Sequence, residues 1–498
     1  MACILGIDLG TSSIKAMLLD EEKGVIGTSA RSYTVNIPEE GFGEQDPRMW
    51  WESLKEVLRN LKETYSSDFS KICSVGFSGQ MHGLVAVDRN GNPIRPAILW
   101  MDQRSGAEAK MVQEELGMET MGKVFHNRVF SGFAFPSLMW IKRNEPENFE
   151  KIYKILLPKD YIRYRLTGEF GTDASDGSST SIFDTGGRDW AWDIIKKYNF
   201  PAEIFPEVHE AEEVAGNITK SAAEETGLPK NVCIVYGSGD QPAQSIGNGA
   251  VREGIIISNI GTGGQISTYS DKDKYDEKLR IHTFCHGVNR AYTIFGATLC
   301  SGMSMNWMKD KILYESDFQR MSLEAGKARP GSGGMIYLPY LSGERTPHMD
   351  PEAKGMFFGL KLNQDRSCMI RSVMEGVVFS LKDSLEIFGQ IGLSGDHIIA
   401  SGGGASSEVW LQIQADILEK EMKVCAVKEQ ACLGACIMAG IGAGLFENAA
   451  GAAERFVTFK DRHYEPRKEY EQMYREQYYI YRKLYENTKE LMRENVHA

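Results

Sequence analysis

The sequence predicts an α/β protein built from two similar halves. Apolar, strand-like runs alternate with segments of helical spacing from the first residues onward. One device, a strand, a Gly/Thr tip and a second strand, occurs at the start of the chain and again past its middle. Glycine supplies 51 of 498 residues, about a tenth against a usual ~7%. These glycines gather in short runs between strand candidates, and proline numbers only 16, so the chain is not low-complexity.

In order, Cys3–Asp8 is an apolar run, Leu9–Ser13 a turn and Ile14–Leu19 a second run, which together predict a β-hairpin with a Gly-Thr-Ser-Ser tip. Asp46-Pro47 starts a helix whose apolar face is Trp50, Leu54, Val57, Leu58 and Leu61. Ser74–Phe77 and Leu84–Val87 are strand candidates, and Asn90-Gly91 turns the chain into a third at Ile94–Trp100. The pattern then restarts. Val232–Tyr236 is broken by Gly237-Ser238-Gly239, and Ile255–Ile260 and Gln265–Tyr269 flank Gly261–Gly264. Ile398–Ala400 leads into the small-residue run Ser401–Ser407 and a helix over Glu408–Leu418. Ala431–Phe446 carries no charge, yet it is too short for a membrane span; its Gly and Ala predict a buried helix packed closely on a sheet. Arg467–Arg493 has tyrosines at helical spacing, expected to cover the core and keep their hydroxyls wet. The alternative for that helix is a partner face, which leaves a homodimer open. The simplest division is 1–246 and 247–498.

Composition narrows the function. Hydrophobic residues make up 42% and charged residues 25%, as in a globular protein with a sizeable core. A net charge of −12 argues against nucleic acid or an anionic membrane as partner. Nine cysteines, without a CxxC pair, point to a reducing cytoplasm rather than a disulfide or zinc framework. The first ten residues lack the basic region of a signal peptide.

The candidate chemistry sits on the tips. Asp8 ends an apolar strand, where a carboxylate is costly unless paired or near a cation. Gly10, Thr11, Ser12 and Ser13 offer N–H groups and hydroxyls to one spot, an anion-binding nest, with Lys15 on the same face; an ordinary Asx-type turn is the structural alternative. Neither GxxxxGK[ST] nor GxGxxG occurs, so a nucleotide is held another way. Gly261, Thr262, Gly263 and Gly264 repeat the donors, which suggests two jaws on one polyphosphate, and Ser401–Ser407 gives a surface that a flat base can approach. Asp240, before Gln241-Pro242, is expected at a helix N-terminus, as a cap or as a base for an attacking hydroxyl. Gln80-Met81-His82-Gly83 and Trp100-Met101-Asp102-Gln103-Arg104 lie at strand ends and mix a flat apolar wall with polar groups, as a sugar site requires.

Together these residues resemble the FGGY family of carbohydrate kinases, of the actin/hexokinase/Hsp70-like superfamily. The resemblance runs over nearly the whole chain: GIDLGTSSIK (6–15), SGQMHG (78–83), ILWMDQR (98–104), LPKDYIRYRLTGE (157–169), GSGDQ (237–241), IGTGG (260–264), YLPYLSGERTPHMDP (337–351) and ASGGGASSEVW (400–410). It implies two ribonuclease-H-like domains around a central cleft. The first carries the sugar site and one phosphate loop; the second carries the other phosphate loop and the adenosine site. ATP is the implied donor, with Mg²⁺ on its phosphates. By position, Asp240 resembles the general base and Asp8 the residue that organises Mg²⁺. Thr11, Ser12, Ser13 and Lys15 resemble the first phosphate loop, and Gly261, Thr262 and Gly263 the second. Gly402, Gly403 and Gly404 resemble the adenosine loop, with Gly302 and Asn306 nearby, and Met81, His82, Trp100, Asp102 and Asp240 the sugar pocket. Met81-His82 stands where glycerol kinases carry Arg-Glu, which implies a pentulose acceptor. D-xylulose at O5 comes first; L-xylulose, ribulose or gluconate, and an actin-like ATP-driven switch, are the alternatives. The chain departs from the family at Ser137, where a lysine is usual, at Cys368, where a polar or acidic residue is usual, and at Gln241, where many pentulose kinases carry Asn.

Overall fold

The computed structural model describes residues 2–495. Its first sheet has seven strands: β1 (Cys3–Leu9), β2 (Ser13–Asp20), β3 (Gly24–Ser32), β4 (Ile72–Gly79), β5 (Val214–Asn217), β6 (Cys233–Val235) and β7 (Ser238–Gly239). The order is β5-β6-β4-β1-β2-β3, with β7 also on β4. The second sheet has β8 (Gly254–Ile260), β9 (Gly264–Ser270), β10 (His282–Cys285), β11 (Tyr292–Thr298), β12 (Gly395–Ser401) and β13 (Glu421–Val424), in the order β10-β11-β9-β8-β12-β13. In both, a central strand has an antiparallel hairpin partner on one side and parallel strands on the other. The paths β3-β2-β1-β4-β6 and β11-β9-β8-β12-β13 are one topology used twice, that of ribonuclease H. The central strands are apolar on both faces because both are covered; β3, on the edge, alternates towards solvent.

Eight helices position the site: α1 (Pro47–Thr64), α2 (Pro158–Thr167), α3 (Asp240–Gly247), α4 (Gly302–Trp307), α5 (Arg366–Gln390), α6 (Glu408–Leu418), α7 (Gln430–Gly442) and α8 (Glu471–Glu494). The Asp46 carboxylate caps α1 by accepting from Arg48 N, and proline takes the first turn, where no N–H is missed. The uncharged stretch forms α7, as its composition predicts. Although α7 follows β13 in the chain, it lies on β1 and β4 of the first sheet and crosses α3. Glycines permit that approach: a Cβ at Gly6 would lie 2.1 Å from Cys432 O, one at Gly76 2.1 Å from Ala435 O, and one at Gly434 2.0 Å from Ala243 O. Each obstacle is backbone, so the helix itself would have to move. Gly76→Ala is therefore expected to cost about 1–3 kcal/mol or more, read as a lower thermal midpoint; an unchanged midpoint would show the contact to be loose.

Two expectations are corrected. Ile94–Trp100 is a strand only at Ala97–Ile98, because Pro93 and Pro96 remove ladder donors. Four tyrosine hydroxyls of α8 are buried rather than wet, while Tyr479 faces out. Tyr474 donates to Glu375 Oε1 at 2.7 Å, Tyr478 to Asp383 Oδ1 at 2.6 Å and Tyr485 to Asp350 Oδ2 at 2.7 Å, while Tyr481 pairs with the Tyr340 hydroxyl at 2.7 Å. This face of α8 is thus part of the second half's core. No helix among the described residues is long and apolar enough to cross a membrane.

Candidate active site

β1 and β7, on either side of β4, bring two carboxylates to the cleft floor, Asp8 within β1 and Asp240 just past β7. Asp8 lies next to the end of β1, across from Lys15 on β2. Its Oδ1 accepts from Ser78 Oγ at 2.7 Å, and its other oxygen has no hydrogen-bond partner among the described residues. Gly239 pairs with Gly79, so Asp240, the first residue of α3, opens beside Asp8. Burial and the negative charge of Asp8 push the Asp240 carboxyl up to about 7. Burial also raises Asp8, against its hydrogen bond to Ser78 and the charge of Lys15. Two facing carboxylates, one with a free oxygen, make a donor set that suits a hard divalent cation with water and phosphate oxygens.

Asp240 lines a 350 Å³ cavity together with Thr11, Met81, His82, Trp100, Gln241, Thr262, Gln265, Phe295 and Arg345. Met81 rests on an apolar cluster from both halves, Phe133, Phe284 and Phe295. His82 has φ 71°, a left-handed conformation rare outside glycine, and its ring stacks on Phe133 at 3.8 Å. Nδ1 meets the Ser179 carbonyl at 2.7 Å. A carbonyl only accepts, so Nδ1 carries the proton and Nε2 is left as an acceptor. Burial, then the nearby Arg345, lower this imidazole to about 4, so it is neutral. Trp100 is 39% exposed, and its ring is a flat wall held by the indole N–H, which donates to Thr11 Oγ1 at 2.9 Å. Thr11 donates onward to Gln80 Oε1 at 3.0 Å.

On the other side of the second tip, a 410 Å³ cavity is lined by Gly261, Thr262, Gly302, Asn306, Phe318, Gly403, Gly404 and Trp410. Gly302 N donates to Gly261 O and Met303 N to Thr262 O, both at 2.9 Å, so α4 fixes this tip. Gly402 has φ 72°, and a Cβ there would lie 2.3 Å from Asn259 Oδ1. Only glycine lets this loop turn so close to β8. A third cavity, 450 Å³, holds Asp8, Lys15, Gln244, Ser401, Gly402 and Glu429.

Most of the residues singled out in the sequence meet here; Asp102, Ser12 and Ser13 are exceptions, and Lys15 has an added partner. Asp102 is fully buried: its carboxylate accepts from Gly43 N at 2.7 Å and pairs with Arg104 at 2.8 Å, so it shapes the Trp100 loop without reaching the cavity. Lys15 faces the third cavity and pairs with Glu429 at 2.6 Å across the two halves. Ser12 is exposed at the tip, and Ser13 is drawn into β2 opposite Ser32. Gln265, Phe295, Arg345 and Phe318 escape sequence reasoning. Gln265 and Phe295 belong to strands whose alternation reads as plain sheet. Arg345 follows Glu344 in the chain, but the Glu344 carboxylate accepts from Leu299 N, Arg345 N and Ser380 Oγ. The signal for Arg345 is its place in the YLSGERTPHMDP run, to which the sequence alone assigns no role.

Two ribonuclease-H-like repeats facing each other across an acidic floor, with glycine tips on both jaws and an aromatic and imidazole pocket beside them, define a two-domain carbohydrate kinase. The comparisons agree. The model of the FGGY carbohydrate kinase N-terminal domain matches residues 3–247, and that of the C-terminal domain matches residues 257–443. The chain belongs to the FGGY family of carbohydrate kinases, and it is a sugar kinase. It is 35% identical to the xylulose kinase of Lactococcus lactis over 492 residues, which is 99% of this chain and 98% of that one. It is 34% identical to the xylulose kinase of Bacillus subtilis, again over 99% and 98%. The crystal structure of xylulose kinase from Rhodospirillum rubrum superposes with a TM-score of 0.93 at 27% identity, covering 99% of this chain and 100% of that one.

Proposed function

We propose that the enzyme transfers the γ-phosphoryl group of ATP to O5 of D-xylulose. The observation that supports this most is one cavity that unites Asp240 with Met81, His82 and Trp100 directly beside the second glycine tip. The boundary between the N-terminal and C-terminal domains falls at 246/247, at the end of α3. Phosphoryl transfer has a loose transition state, so positioning and charge neutralisation supply most of the rate. The sugar lies on Met81 and against Trp100, with a hydroxyl donated to His82 Nε2. Its terminal hydroxyl meets Asp240, which takes the proton as the O–P bond forms. The ATP base lies in the cavity of Gly403, Gly404, Phe318 and Trp410, and its phosphates run between the tips at Thr11 and Thr262. Mg²⁺ held through Asp8 would neutralise phosphate charge. Closure of the halves excludes water. A reducing, cytoplasmic setting suits nine cysteines without a CxxC pair. Coupled ADP release is the test. D-xylulose is expected to stimulate turnover most in a panel with L-xylulose, ribulose, gluconate and glycerol. Stimulation by another member but not by xylulose, or ATP turnover indifferent to sugar, would overturn this reading.

A further inference from the structure

We propose that Arg345 holds the end of the substrate remote from the phosphorylated hydroxyl, the C1–C2 end of a ketose, and so sets which sugars the cleft accepts. The inference rests on the sugar-kinase reading above and adds to it a specificity-determining residue from the second half. Arg345 lines the sugar cavity and is mostly buried. Its guanidinium has no carboxylate or hydrogen-bond partner among the described residues, and its Cζ lies 5.8 Å from the centroid of the Phe130 ring. The neighbouring Glu344 is spent on backbone amides and Ser380. Other arginines at this depth have carboxylate partners: Arg104 has Asp102 and Glu44, and Arg371 has Glu375. A guanidinium brings five donors and no acceptor, and those of Arg345 open on the cavity, where ligand oxygens can match them as the cleft closes over the sugar.

Its position within the cavity fixes which oxygens. The Phe130 ring beside the Arg345 guanidinium lies 5.6 Å from Phe133, the ring on which His82 stacks, and 5.7 Å from His282. Arg345 therefore stands at the His82 end of the cavity. A five-carbon chain with its terminal hydroxyl on Asp240 brings its carbonyl end there, where His82 Nε2 accepts and Arg345 donates. A carboxylate at that carbon would fit the fork in bidentate fashion, so a five-carbon aldonate should bind in place of the ketose.

The test compares wild type, Arg345→Gln and Arg345→Lys in coupled ADP release. Arg345→Gln should raise KM for D-xylulose about 10–100-fold, the loss of a hydrogen bond to a charged group. Its kcat at saturating sugar and its KM for ATP should stay within a few-fold, which also reports that the variant folds. D-xylonate should compete with xylulose on wild type and on Arg345→Lys, and should inhibit Arg345→Gln at least about tenfold more weakly. An unchanged KM, or a fall in kcat with KM unchanged, would overturn the proposal; the latter would place Arg345 on the transferring phosphoryl group. If wild type shows no sugar-stimulated turnover, the kinase reading on xylulose fails by itself. Calorimetric titration of D-xylonate then decides Arg345 separately: weaker binding to Arg345→Gln supports the contact, and equal binding removes it.

Discussion

Asp240→Asn is expected to lower kcat by about 10²–10⁴-fold, the usual contribution of a general base, with KM for sugar and ATP within a few-fold. Asparagine keeps the shape of the side chain and its place at the start of α3, and loses only the proton acceptor. The same substitution should stabilise the fold. In the native protein the Asp240 carboxyl is raised from 3.8 to about 7 by burial and by Asp8. The folded state therefore holds this proton more tightly than the unfolded chain does. Stability from the raised group is fully present below pH ~4 and is lost as pH rises through about 7. The amide variant escapes that loss, so its gain in thermal midpoint over wild type should grow from pH ~4 to ~7 and then level off. After allowance for solvent screening at a half-buried site, it should reach on the order of 1–2 kcal/mol. The wild-type pH profile provides the matching check: kcat/KM should climb through about pH 7, because the base must be ionised. A profile flat from pH 6 to 8, or a variant with wild-type kcat, would remove Asp240 from the role of base.

How much of this was legible in the sequence depended on whether the cause was local. The tips at Gly10 and Gly261, the helix start at Asp46-Pro47, and the glycine run before Glu408–Leu418 are fixed by turn chemistry within a few residues, and the structure has them where the sequence placed them. The close packing of α7 was readable from its Gly and Ala content, but its partner was not: a helix that follows the second sheet covers the first. The side-chain partners that the sequence does not supply share that origin. Asp102, between a tryptophan and an arginine, reads as a sugar ligand until Gly43, 59 residues away, is seen to donate to it. Lys15 reads as a cation with no protein partner until Glu429, 414 residues away, is seen to pair with it. The tyrosine hydroxyls of α8 read as wet until the acceptors on α5 and at Asp350 are in place. Short-range geometry is written in neighbouring residues; the partner of a long polar side chain is written wherever the fold brings it.

Lys159→Met should be the most destabilising single change beneath the site. Lys159 is fully buried at the start of α2, and its Nζ lies 2.7 Å from Asp160, 2.7 Å from Asp173 and 3.1 Å from Asp176. The three carboxylates converge as a metal site would, but the ammonium fills the centre. Burial raises the Asp176 carboxyl well above its usual range, with Asp173 and Asp160 adding to the effect. This cluster braces the cleft. A Cβ at Gly239, next to the base, would lie 3.3 Å from Asp176 Oδ1, and one at Gly79 would lie 2.7 Å from Lys159 Cβ. Asp176 O accepts from Ser179 Oγ, and the Ser179 carbonyl orients His82. Methionine fills the volume and removes the charge, leaving three buried acids that face one another. Loss of one partner from such a group costs about 3–5 kcal/mol. The midpoint should fall sharply at pH 8 and less at pH 5, because the acids can take up protons once the lysine is gone. Adding Asp176→Asn should recover part of the loss by removing one of the acids, and kcat should recover with it as His82 and Asp240 return to register. A Lys159→Met variant that melts within about 2 °C of wild type, far less than the expected cost implies, would mean that the acids were already neutral and that the ammonium was not what held them.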